Sequence, residues 1–134
     1  MAKEANIATQ KKLGEAITNG NFDEFDEIFA PSVIDHDPAP NQESGPDGFK
    51  NMFRSMKDAF PDLAIKAEQM VVDDDNVCVA YTMTGTHKGE FQGVAPTGKA
   101  INARGVQIAR FENGMIVERW GSSDELGIVK QLTS

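Results

Sequence analysis

The stretch that decides the fold is NGMIVERWGSSD, residues 113–124. Its first two residues, Asn113 and Gly114, give the strongest hairpin signal in the chain, because both tolerate the positive φ angles of a two-residue turn. The following strand carries Trp120, the only tryptophan, and ends on the carboxylate of Asp124, where a short helical pattern begins. We therefore predict a β-hairpin whose second strand brings one carboxylate to the start of a final helix.

The hairpin also sets an expected register between its two strands. With a two-residue turn and one-for-one pairing, Gln107 faces Trp120 and Ala103 faces Asp124. Because strand side chains alternate, Gln107, Trp120 and Asp124 are predicted to share one face. The remaining residues of that face are small or apolar: Gly105, Ala109, Phe111, Ile116 and Ser122. A mostly apolar cavity with a few convergent polar groups is the usual form of a small-molecule site.

The opposite face of the hairpin has a different composition. It is predicted to present β-branched and arginine side chains, namely Arg104, Val106, Ile108, Arg110, Val117 and Arg119. Such a mixture suits a sheet-to-sheet contact between copies of the chain.

The first half of the chain reads as helices. Apolar residues at helical spacing predict a helix over residues 4–19, with its core-facing side formed by Ala5, Ala8, Leu13, Ala16 and Ile17. A short helix over 23–29 and a brief strand over 33–36 follow. The clearest helix covers 46–60, where Phe49, Met52, Phe53, Met56 and Phe60 keep helical spacing. This stripe is typical of a core, and it could also form the wall of a pocket.

The second half changes to a period of two. Strands are predicted over 63–72, 77–87 and 100–112, with an acidic hairpin turn at 73–76 and a glycine-containing loop over 88–99. Helices followed by a meandering antiparallel sheet indicate an α+β fold with helices on one face of a curved sheet.

Length and composition limit the functional classes. A chain of 134 residues is predicted to form one domain, residues 1–134. The net charge of −8 argues against a nucleic-acid partner and against an anionic membrane surface. No apolar run is long enough to span a membrane, and we expect a cytoplasmic protein. The single cysteine, Cys78, excludes an internal disulfide framework and a multi-cysteine zinc site.

Four polar residues are candidates for chemistry. Asp124 in an apolar pocket would be a stronger base at neutral pH than a solvated carboxylate, or it could simply cap the final helix. His36 lies between two aspartates that could orient its imidazole for acid–base work; without spaced partner ligands we expect no metal there. Tyr81 is either a core residue or a phenol donor in the pocket. His87 is predicted to be a rim or structural residue.

Four segments carry a family resemblance. They are His36-Asp37-Pro38, Ala59-Phe60-Pro61-Asp62-Leu63, the run GTHKGEFQGVAPTGKA at 85–100, and the run from Gly114 through Trp120 and Asp124 to Leu132. Together they span nearly the whole chain, and the last two are specific in wording and spacing. The sequence resembles the SnoaL-like polyketide cyclase or ester cyclase family, within the nuclear transport factor 2-like α+β barrel superfamily.

The resemblance implies a fold, a chemistry and an assembly. It implies a cone-shaped α+β barrel, with N-terminal helices packed against a curved antiparallel or mixed sheet that encloses a pocket. It further implies a site without cofactor, homodimers or homotetramers formed through the sheet, and intramolecular aldol condensation of a small hydrophobic, aromatic-like polyketide ester. By position in the family's motif, Asp124 would be the general acid/base, with Gln107 and His36 as hydrogen-bonding partners.

The pocket walls are expected from the aromatic and methionine residues. We predict that Trp120, Tyr81, Phe53, Met56 and Phe49 bind the flat substrate. The sequence departs from the family at Arg119, where a histidine is frequent. In the predicted register Arg119 points away from the site.

Two alternatives remain at this point. One is another reaction in the same kind of cone, by an isomerase, a dehydratase or a hydrolase. The other is a non-catalytic, oligomeric small-molecule-binding protein. A cone filled by Phe53, Met56 and Trp120 would favour the second.

Overall fold

The computed structural model describes residues 2–134, and these form helices packed on one side of a five-stranded mixed sheet. The helices are α1 (Ala2–Asn19), α2 (Phe25–Ile28), α3 (Pro46–Ala59) and α4 (Glu125–Thr133). The strands are β1 (Phe29–Asp35), β2 (Ala64–Val72), β3 (Asn76–Thr86), β4 (Ala100–Glu112) and β5 (Met115–Ser123). The predicted α+β class is confirmed.

The sheet has the order β1-β5-β4-β3-β2. The chain from β2 to β5 is an antiparallel meander, and β1 adds to β5 in parallel. The outer strands β1 and β2 do not pair with each other among the described residues, so the predicted barrel is an open sheet. No helix within residues 2–134 is long and apolar enough to cross a membrane.

The helical core was predicted in part. The third helix, predicted over 46–60, covers Pro46–Ala59 with Phe60 as its C-cap, and Pro46 lies in its first turn, where a missing N–H costs little. In α1, however, Ala5 and Ala8 are exposed, and the amides of Asn6 and Gln10 take the buried positions above Leu13. The predicted stripe there is therefore wrong in its first half.

The entry into the sheet also differs from the prediction. The second helix is short, a 3₁₀ turn at Phe22–Glu24 followed by the single turn of α2, and β1 already begins at Phe29. Phe29 stacks on Phe49 with ring centroids 4.2 Å apart, and both rings are buried. Phe49 is thus a core residue; the prediction that it lines the pocket is wrong.

Candidate active site

A β-bulge in β5 determines which side chains face the helices. Pairing begins as predicted with Glu112 opposite Met115 and Phe111 opposite Ile116, but Arg110 then pairs with Glu118. Val117 is the extra residue. Because the side-chain period of a strand is two, a one-residue shift moves every later side chain to the other face.

The consequence is an exchange of Trp120 and Arg119. Gln107 pairs with Gly121 instead of Trp120, and Trp120 pairs with Ile108 on the outer face. Arg119 is buried on the inner face, where the unbulged register had placed Trp120. The predicted inner-face positions of β4 are correct, with Ala103, Gln107 and Ala109 buried and facing the helices.

Arg119 is the centre of a buried polar network. Its Nη1 lies 3.2 Å from Asp35 Oδ1, and the exposed fractions of the two side chains are 10% and 5%. Its Nε donates to Gln107 Oε1 at 3.2 Å, and Nη1 also contacts the backbone carbonyl of Asp37. Asp35 additionally accepts hydrogen bonds from the backbone N–H of Asp37 and from Gln42 Nε2. A buried charge pair persists where further hydrogen bonds satisfy both ions, as they do here.

Gln107 presents a donor that the protein leaves without a partner. The residue is only 8% exposed, and its Nε2 is buried with no hydrogen-bond partner within residues 2–134. Because Arg119 donates to Oε1, the orientation of the amide is fixed and its NH₂ group is the free side. Buried polar groups are usually satisfied, so this one is a candidate ligand contact.

Two glycines make room for the polar side chains on the inner face. A Cβ at Gly105 would lie 2.4 Å from the hydroxyl oxygen of Tyr81, and one at Gly121 would lie 2.5 Å from Nη2 of Arg119. The space at these two positions is filled by a phenol ring and a guanidinium group. Burial raises the pKa of Tyr81 above its usual 10.0, so the phenol is a proton donor at neutral pH.

A cavity of about 1270 Å³ lies between the helices and the sheet. Its polar wall contains Tyr81, Gln107 and Arg119. Its apolar wall comes from α1, α3 and the strands and includes Leu13, Ile17, Met52, Phe53, Met56, Ile65, Met70, Val79 and Met83. The predicted wall residues Phe53, Met56 and Tyr81 therefore line the cavity, which is not filled by them.

Asp124 does not lie among the residues that line this cavity. It is exposed, and it is the N-cap of α4: its Oδ1 accepts the backbone N–H of Gly127 at 2.8 Å. The bulge explains the change, because Asp124 follows the strand on the face opposite to the predicted one. Its predicted position beside Gln107 and Trp120 is wrong, and the capping alternative describes its contacts.

His36 and Trp120 lie together on the outer face of the sheet. Their rings stack with centroids 4.5 Å apart, and His36 Nε2 lies 3.0 Å from Glu118 Oε1. Neither residue lines the cavity. The prediction that His36 and Trp120 contribute to the pocket is wrong. The carboxylate of Asp35 and the backbone carbonyl of Asp37 contact Arg119, while the imidazole of His36 between them lies against Trp120 on the outer face.

The inward position of Arg119 and its partner Asp35 were missed. The inward position of Arg119 depends on the bulge in β5, which the alternation of apolar and polar residues does not reveal. The role of Asp35 depends on the pairing of β1 with β5, two strands that are distant in the sequence. Within residues 2–134 no cluster of three or more His, Cys, Asp or Glu side chains is arranged to hold a metal ion.

The fold and site define a small α+β protein with a polar-ended, otherwise apolar cavity. The sequence profile of the SnoaL-like polyketide cyclase family matches residues 7–132, and the chain belongs to that family. A search of curated proteins found no match to the sequence.

Solved structures agree in fold. TsrD from Streptomyces laurentii superposes with a TM-score of 0.90 at 22% identity, over 99% of this chain and 98% of that one. IdmH from Streptomyces antibioticus, described provisionally as a polyketide cyclase, gives 0.85 at 27% identity over 96% and 99%. AclR from Streptomyces galilaeus, described provisionally as a hydroxylase, gives 0.85 at 25% identity over 97% and 96%.

Proposed function

We propose that this protein is a cyclase-type enzyme that binds a small, mostly apolar carbonyl compound in the cavity and closes a ring by intramolecular aldol condensation, without a cofactor. The observation that carries the proposal is the buried Nε2 of Gln107, a fixed donor with no protein partner. A ligand carbonyl oxygen at this end of the cavity would accept from it. Family membership and the provisional description of IdmH support the reaction class.

The charges around the cavity favour a neutral ligand. The lining contains five carboxylate residues, Glu15, Asp37, Glu43, Glu90 and Glu125, against the cations Lys11 and Arg119. Arg119 is neutralised by Asp35, so its N–H groups act as donors without a net charge. A free carboxylate would meet mainly like charges at the cavity, whereas an ester or a ketone would not.

Gln107, Arg119 and Tyr81 are suited to the electronic change of the reaction. When a proton leaves the carbon next to a carbonyl, negative charge develops on the carbonyl oxygen. Preorganised donors aimed at that oxygen can each contribute roughly 3 kcal/mol to transition-state stabilisation. The size of the cavity exceeds the usual range for drug-sized ligands, which suits a molecule of several fused rings.

The first prediction concerns the donor itself. Gln107→Glu keeps an oxygen for Arg119 and replaces the free NH₂ group by an acceptor. We expect binding of β-tetralone, a flat bicyclic ketone, to weaken at least tenfold, because the ketone oxygen would face a carboxylate oxygen. Binding is measured by calorimetry. Gln69→Glu, an exposed change on β2, is the matched control. Unchanged affinity in Gln107→Glu would contradict the proposed oxygen site.

The second prediction concerns assembly. We propose that two copies associate through the outer face of the sheet, where Val106, Ile108 and Trp120 are exposed by 48%, 41% and 36%. Sedimentation should give at least a dimer for the wild type and a monomer for Ile108→Glu, because a central charge would be desolvated at the contact. Leu126→Glu, at an exposed position of α4, is the control. A monomeric wild type at micromolar concentration would rule out this contact.

A further inference from the structure

Glu125 is a solvent-exposed residue of the cavity lining. Glu125 is the first residue of α4, directly after Asp124, and it belongs to the cavity lining while Asp124 does not. The strand register explains its place. Ser123 pairs with Gly105, and Gly105 pairs with Tyr81, so the chain leaves β5 beside the phenol.

Glu125 is also uncommitted. Within residues 2–134 its carboxylate makes no hydrogen bond and no ion pair. The pKa of Tyr81 is raised mainly by burial, and the negative charge of Glu125 raises it further. The charge of Arg119 acts on the same phenol in the opposite direction. The free carboxylate and Arg119 therefore both act on the phenol of Tyr81, and all three residues line the cavity.

The neighbouring carboxylates have other partners. Asp124 accepts the N–H of Gly127 as the helix cap. Asp37, which also lines the cavity, accepts the N–H of Gly121 at 2.9 Å through Oδ2. Asp35 is occupied by Arg119 and Gln42. A carboxylate that must take up and return a proton works best when no fixed donor holds its oxygens.

We propose that Glu125, rather than Asp124, is the catalytic acid and base of the cavity; this inference rests on the function proposed above. The ionised carboxylate removes a proton from the carbon next to the substrate carbonyl, and the C–H electron pair becomes the enolate. The enolate carbon attacks a second carbonyl carbon of the same molecule, which forms the C–C bond and moves that carbonyl's π pair to oxygen. The protonated Glu125 returns its proton to this alkoxide, so no external acid, base or oxidant is consumed.

The proton-abstraction half of this step can be tested without the natural substrate. β-Tetralone carries an acidic C–H between its carbonyl and its aromatic ring, and deuterium uptake at that carbon in D₂O is followed by NMR. We expect the wild type to accelerate uptake over buffer, and Glu125→Gln to lose about 100-fold or more of the acceleration. Glu68→Gln is the matched control, since Glu68 lies on β2 outside the cavity lining. Thermal melts of all variants check that they are folded.

The possible outcomes separate the inference from the function on which it rests. Loss of exchange in Glu125→Gln, with Glu68→Gln active and all variants folded, supports Glu125. If the wild type is active and Glu125→Gln stays within threefold of it, Glu125 is not the base, and the cavity function stands. Loss confined to Asp124→Asn or to Asp37→Asn assigns the proton transfer to that residue and overturns the inference. A wild type that neither binds β-tetralone nor accelerates exchange contradicts the proposed function itself.

Discussion

Replacing Arg119 by methionine should lower the free energy of unfolding by about 3–5 kcal/mol, because it leaves the carboxylate of Asp35 buried without its counter-ion. Both side chains are nearly excluded from solvent, with exposed fractions of 10% and 5%. The substitution also removes the donor that holds Gln107 Oε1. The measurement is urea unfolding followed by circular dichroism, with the midpoint and slope compared between variants.

The control for Arg119 is another arginine of the same sheet. Arg110 pairs with Glu112 and Glu118, but its side chain is 36% exposed. Arg110→Met should therefore shift the urea midpoint much less than Arg119→Met, because exposed ion pairs contribute little to stability. The double variant Asp35→Asn/Arg119→Met should be more stable than Arg119→Met alone, because it removes both charges. If the losses of unfolding free energy in Asp35→Asn and in Arg119→Met add up to the loss in the double variant, the two side chains are not coupled and the network does not hold the site.

The bulge at Val117 marks the limit of what the sequence could predict. Local rules predicted the Asn113-Gly114 turn, where both residues have positive φ, and they predicted the inward positions of β4. An unbulged strand put Trp120 inside and Arg119 outside, which is the arrangement that hydrophobicity favours. The actual arrangement depends on Asp35, which compensates the buried arginine from β1 through a parallel pairing that no local pattern encodes.

The same limit applies to the candidate site. Gln107 and Tyr81 were predicted to line the pocket because their own strands are regular, and the structure places them there. Asp124 and Trp120 were placed in it by a register that fails after one inserted residue, and His36 was placed in it by its flanking aspartates and the family resemblance. The apolar stripe of α3 predicted the cavity wall only in part. Phe53 and Met56 face the cavity, while Phe49 packs in the aromatic core against Phe29. Which part of an apolar stripe faces a void depends on packing between distant elements.

His87 was predicted as a rim or structural residue, and its contacts join the two ends of the loop over 88–99. The ring is fully buried, and its Nδ1 accepts the backbone N–H of Thr97 at 3.1 Å and lies 3.0 Å from the Thr97 hydroxyl. Accepting from a backbone N–H requires the proton on Nε2, which has no partner among the described residues. The backbone of His87 also bonds to Lys99 and Gly98, so the residue closes the loop over 88–99.

His87→Ala should therefore cost about 3 kcal/mol of stability and free the loop that forms one wall of the cavity. The loss combines ring packing against Phe60, whose centroid lies 5.6 Å away, with the lost acceptor for Thr97. Phe91, a buried residue of this loop, lines the cavity, so β-tetralone should also bind more weakly. Hydrogen exchange measured by mass spectrometry should show faster exchange in residues 88–99, while the backbone amides of β4 keep their protection.

Thr97→Val is the control: it keeps the N–H that bonds Nδ1 and should cost about 1 kcal/mol or less. Equal losses in both variants, or exchange that rises throughout the sheet, would show that His87 contributes to the core as a whole and does not fasten this loop.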